Sequence, residues 1–138
     1  QVSADGRAEE TVLGGDGGNF ESVACDDRVH DAPVFFTTED AERGAMRRFE
    51  ATKHGWDALH DHEGTHSFLN ILDDTTFEWT TDEEAARDSA ADYYPNSEGI
   101  QVHEGKVFFM SKLLHRLLIL DLESMTYTAE ESGLKFPN

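Results

Sequence analysis

A chain of 138 residues with 38% apolar and 10% aromatic residues has material for one domain with a modest core, and too many large apolar side chains for wholesale disorder. Eleven basic against twenty-nine acidic residues leave a formal net charge of −18, a field that repels a polyphosphate backbone and draws in divalent cations, so nucleic acid is excluded as a partner. No apolar run approaches the roughly eighteen residues of a membrane span, and no signal peptide is present.

Residues 1–19 are polar and glycine-rich, with Gly14-Gly15-Asp16-Gly17-Gly18 at the extreme, and read as a flexible leader ahead of a domain over 20–138. The run lacks the lysine of a phosphate-binding loop, and no helical pattern follows it. Phe20, Val23 and Cys25 suggest a short strand, and residues 34–38 a second one that ends at Glu39-Asp40. Gly44 lies in the loop that returns the chain as a strand over 45–49. Residues 50–66 are loop-like and histidine-rich, with a helical turn over 56–60; strands over 66–72 and 77–79 follow, joined by an Asp73-Asp74 turn. Thr81 with Glu84 three residues later is a capping box for a helix over 82–92, which must end before Pro95. Its alanine-rich composition and shortness mark it as a surface decoration.

The densest apolar stretch is 96–123. Ile100 and Val102 alternate with Gln101 and His103, Glu104-Gly105 supplies a tight turn, and residues 107–110 and 117–120 are unbroken apolar runs suited to strands covered on both faces. Met125, Tyr127 and Ala129 alternate with Thr126 and Thr128 in a last strand. About nine short strands at ten-residue intervals, with one short inserted helix, give a mainly-β antiparallel meander, read as a partial β-propeller of about two blades. Trp79, Phe108 and Phe109 are assigned to the core. Gln1 in place of Met, and the halt at Pro137-Asn138 after a strand-like stretch, are read as cuts in a longer polypeptide.

Three groups can carry chemistry. Thr38-Glu39-Asp40 and Asn96-Ser97-Glu98-Gly99 each place a glutamate at a strand end, and carboxylates converging from two blades make a hard-cation site suited to calcium. His60, His62 and His66 have metal-ligand side chains, but their polar, glycine-flanked loop favours exposed rings. Cys25 has no partner for an internal disulfide, and Asp26 and Asp27 raise its pKa, so a buried structural thiol is favoured over a nucleophile.

The order FESVACDD, PVFFTTEDAERGAMRRFEA, NSEGIQVHEGKVFFMSK and LLILDLESMTY resembles the PhoX-type secreted alkaline phosphatases over residues 20–130. The resemblance implies a β-propeller holding calcium and iron, with Glu39 and Glu98 as metal ligands and Asp40 beside them, acting on a phosphate ester in a secreted or organellar-lumen setting. The family's iron-binding cysteine has no counterpart here, since Cys25 falls in the wrong strand. The alternative is a non-catalytic accessory subunit that keeps the scaffold and binds partner protein subunits.

Overall fold

A computed structural model describes residues 4–131 and Gly133; the rest of the expected leader and the end of the expected domain lie outside the described residues. The chain is mainly β, as the strand spacing implies. In order come β1 (Phe20–Asp26), β2 (Val34–Glu39), β3 (Arg47–Glu50), β4 (Thr65–Ile71), β5 (Phe77–Thr80), α1 (Glu83–Tyr93), β6 (Ser97–His103), β7 (Lys106–Ser111), β8 (Arg116–Asp121) and β9 (Thr126–Glu131). The first five strands form one antiparallel sheet and the last four a second, each paired in chain order without a crossover. Tight turns close several of the hairpins. Glu104 and Gly105 have φ of +46° and +76°, so both central turn residues are left-handed, the mirror-image turn whose twist matches that of its strands. At the β4–β5 turn, Asp73 Oδ1 accepts the N–H groups of Thr75 at 2.8 Å and Thr76 at 2.7 Å.

One core draws on every layer. Phe36, Met46, Leu69, Ile71 and Phe77 from the first sheet region meet Ala90 and Tyr94 from the helix region, and Val107, Phe109, Leu118, Leu120 and Tyr127 from the second sheet. The first strands of the two sheets, β1 and β6, lie side by side. The apolar runs of β7 and β8 are buried on one face and half-buried on the other, so Phe109 is core while Phe108 is only half-covered. Trp79 is also half-covered, packing edge-on to Phe77 at 5.7 Å.

Four local expectations change. The helix is capped one residue later than expected, by Asp82, whose Oδ1 accepts Ala85 N–H at 3.1 Å, while Thr80 Oγ1 accepts Asp82 N–H at 3.0 Å. The helix is also structural and not decorative. Ala86, Ser89 and Ala90 bury a narrow stripe against β4, and Ser89 Oγ accepts Ile71 N–H at 2.7 Å. Residues 4–19 do bury something: Leu13, in the 3-10 turn Val12–Gly14, is buried with Phe49, Ala58 and Leu59. Cys25 is exposed, and its thiol is pushed up by the atoms packed around it and then by Asp27 and Asp26.

Candidate functional site

Both acidic steps lie where strand pairing is irregular. The β1–β2 register shifts between Phe20 and Ser22, opposite Glu39, and the β6–β7 register shifts between Ser97 and Ile100, across Glu98 and Gly99. Such bulges leave a residue unpaired and re-aim side chains. The two strand ends, 58 residues apart in sequence, then close on one another. Glu39 N–H meets Ser97 Oγ at 3.2 Å, and the Ser97 hydroxyl lies 3.2 Å from the Glu39 carbonyl. Ser97 is fully buried, so this contact is shielded from competing water.

Asn96 completes the clamp. Its φ is +52°, a left-handed conformation that asparagine tolerates better than most residues. In that pose its N–H donates to the Ala41 carbonyl at 3.0 Å, its carbonyl accepts Lys112 N–H at 2.9 Å, and its amide Nδ2 donates to Asp40 Oδ1 at 2.8 Å. Lys112 Nζ then lies 3.2 Å from Asp40 Oδ2 and 2.9 Å from Glu98 Oε1, joining carboxylates from both sheets. The Asn96 hydrogen bond and then the Lys112 ammonium hold the Asp40 carboxyl below the ordinary carboxylate range, while Glu98 and Asp40 push the Lys112 ammonium up.

The two acidic steps therefore meet through Asp40 and Glu98, not through the Glu39–Glu98 pair expected from the sequence, and they meet on an ammonium. Glu39 does not join them through its carboxylate. Successive strand residues face opposite ways, and Glu39 Oε1 takes a long 3.5 Å contact from Asn19 N–H instead. Calcium takes about six to eight oxygens, and both carboxylates here already share a cation. Among the described residues, no group of three or more His, Cys, Asp or Glu side chains is placed to hold a metal ion.

The histidine-rich loop divides into two parts. Asp61 is buried and structural, its carboxylate accepting Thr52 N–H at 2.5 Å, Thr52 Oγ1 at 2.9 Å and Glu63 N–H at 3.1 Å. His60, His62 and His66 instead line one cavity, and His66 is half-buried against the Phe49 ring at 4.8 Å, not exposed as the loop composition suggests.

Lys112 is the residue that sequence reasoning missed, and the hairpin held the signal. With His103 opposite Lys106 and Ile100 opposite Phe109, unbroken pairing would carry Lys112 to Ser97; the bulge moves the pairing by one, to Ser111. A lysine beside Glu98 was therefore readable from the turn, whereas its contact with Asp40 depends on how the two sheets dock.

These charges give a pH signature at both limbs. Carboxyls held low in the folded chain stabilise it above their ordinary range and lose that contribution as pH falls through the folded value; Asp73 goes from an ordinary 3.8 to about 2 through the N–H groups of Thr75 and Thr76. Asp40 adds to the same acid limb. Lys112, held high, contributes fully below the ordinary lysine value of 10.5 and loses the contribution as pH rises through its raised folded value. In urea titrations across pH, Asp40→Asn is expected to flatten the acid limb below about pH 4 and Lys112→Met the alkaline limb. An acid limb unchanged in Asp40→Asn would mean that the cross-sheet contact is not formed in solution.

Comparison with known proteins finds no matching family model, no similar curated protein and no similar solved structure. Among the described residues no helix is long and apolar enough to cross a membrane.

Proposed function

We propose that the two sheets are blades of a PhoX-like β-propeller and that the chain serves a metal-dependent hydrolase of phosphate monoesters. One observation supports this reading above the others. The two sequence steps that carry the resemblance, Thr38-Glu39-Asp40 and Ser97-Glu98-Gly99, come from separate sheets and are in direct contact. The chain's own residues supply positioning. Ser97 and Asn96 lock the strand ends, and Lys112 ties the carboxylates of Asp40 and Glu98 together at the junction. The calcium and iron of that family would need donors beyond Asp40 and Glu98, so no bond-making step is assigned to a metal here.

The accessory-subunit reading is favoured by a different observation: the Asp40 and Glu98 carboxylates, which a metal would need, are already engaged by the one ammonium of Lys112. Hydrolysis of p-nitrophenyl phosphate, measured with added calcium and with chelator, separates the two. The hydrolase reading expects calcium-dependent turnover that Glu98→Gln abolishes while the circular dichroism spectrum is unchanged. No calcium-dependent turnover by the folded intact parent protein overturns it, and partner binding that survives Glu98→Gln then speaks for the scaffold.

A further inference from the structure

The five-stranded sheet has a second face, turned away from the main core, and a cavity of about 750 Å³ opens on it. Its wall is built by strand alternation. Phe36 and Leu69 are buried in the main core, so Arg47, which pairs with Thr37 and Phe68, and His66, which pairs with Phe49, belong to the opposite face. Residues 10–16 form the other wall. None of the lining residues belongs to the Asp40–Lys112–Glu98 junction.

Arg47 is the unusual group. It is only 6% exposed, with its guanidinium carbon 5.0 Å from the Phe68 ring centre and 5.6 Å from that of Phe20. Its Nε has no hydrogen-bond partner, and its Nη2 reaches Glu83 only at 3.5 Å, where Glu83 is held more closely by Arg87 at 2.8 Å. The wall comes so near that a Cβ on Gly15 would lie 2.7 Å from Arg47 Nη1. A buried guanidinium is costly unless an anion meets its donors.

The orphaned atoms are concentrated here. Among the described residues four buried side-chain nitrogen or oxygen atoms lack a hydrogen-bond partner, and three of them, Arg47 Nε, His60 Nε2 and His66 Nδ1, belong to residues lining this cavity. Glu9 stands 3.5 Å from His60 Nε2 without forming a hydrogen bond to it. Burial, and then the Arg47 charge, hold the His66 imidazole below its ordinary pKa, with Asp16 opposing, which favours a neutral ring able to donate one N–H. Glu10, Asp16 and Glu83 also line the cavity; Glu10 and Asp16 are exposed, where solvent and salt screen them, and Glu83 is paired with Arg87 at 2.8 Å.

We infer that this cavity binds a small oxyanion, a phosphate or a carboxylate, through Arg47 Nε with His60 and His66 completing its hydrogen bonds. A buried cation with an unpartnered N–H, beside two unpartnered ring nitrogens on the same cavity, offers the donors that an oxyanion accepts from. The site is independent of the hydrolase reading, because it uses neither Asp40, Glu98 nor Lys112.

The test is a titration of the whole chain with inorganic phosphate and, separately, with acetate, following the imidazole resonances of His60 and His66 by NMR. Saturable shifts of both rings with either anion are expected; saturation by phosphate alone assigns a phosphoryl ligand, and by acetate alone a carboxylate. Arg47→Lys keeps the charge but removes the Nε donor, and should weaken binding by about tenfold. Should that variant fail to fold, His60→Gln, at a partly exposed position, should also weaken binding and leave the His66 shift reachable only at higher anion concentration. Shifts that do not saturate with either anion, or affinity unchanged in the folded variants, overturn the inference.

Discussion

Phe109→Ala is expected to cost about 3–5 kcal/mol, the range for emptying a buried aromatic site. Phe109 is 1% exposed and sits where both sheets and the helix end meet. Its ring packs edge-on to Tyr94 at 5.6 Å and 89°, so truncation also removes an aromatic pair worth about 0.5–1.5 kcal/mol beyond area. Tyr94 cannot follow the retreating ring, because its Oη donates to the Leu69 carbonyl at 2.7 Å and the residue is fully buried. The cavity therefore stays open. Against a typical total of about 5–15 kcal/mol for a small domain, such a loss removes a large part of the folding free energy. Phe108→Ala, one residue earlier on the half-covered face, should cost clearly less. Urea denaturation of the pair measures both, and equal losses would mean that the face assigned to the core is wrong.

How far the chain could be read beforehand depended on how local each feature is. The period-2 alternation at Ile100 to His103 and the Glu104-Gly105 turn specify a hairpin by themselves, and that hairpin is present, pairing His103 with Lys106 and Ile100 with Phe109 before the bulge shifts it by one. Chain-order pairing in the second sheet follows from the same cause, since short turns deliver each strand to its neighbour, whereas β3 and β4 pair across the longer histidine-rich loop. The helix misled for a physical reason. Alanine and serine look like surface filler by hydrophobicity, yet Ala86, Ser89 and Ala90, at positions i, i+3 and i+4, make a face small enough for β4 to approach. Only the packed structure reveals that Ser89 Oγ serves as the hydrogen-bond partner of Ile71.

The candidate site shows the same division. Acidic strand ends were legible, but the pair expected to converge was Glu39 with Glu98, whereas Asp40 is the residue that shares a cation with Glu98. What they meet was not legible. Periodicity assigns Glu39 to a face but cannot tell that its backbone, and not its carboxylate, makes the contact with Ser97. The cavity at Arg47 was less visible still, since it joins residues 10–16, β3, β4 and the histidine loop, which nothing in sequence spacing connects.

Gly44→Ala is the second change with a large expected effect, and it acts on the junction without touching an acidic residue. The loop between β2 and β3 folds back so tightly that a Cβ at Gly44 would lie 2.5 Å from the Glu39 carbonyl oxygen and 3.0 Å from that of Ala41. These are backbone atoms already engaged. The Glu39 carbonyl faces Ser97 Oγ, and the Ala41 carbonyl accepts N–H groups from Gly44 at 2.9 Å and Asn96 at 3.0 Å. Neither can retreat without loosening the tie to β6, so a cost of about 1–3 kcal/mol is expected, as for other forced overpacking. The stability loss should be accompanied by a weaker Asp40–Lys112 contact, visible as a flatter acid limb like that of Asp40→Asn. Gly99→Ala is the control, because nothing lies within 4 Å of a Cβ there although the residue adjoins Glu98. If Gly44→Ala unfolds at the same urea concentration as the parent chain and keeps its acid limb, the loop does not hold the two strand ends together, and the junction owes its geometry to sheet packing alone.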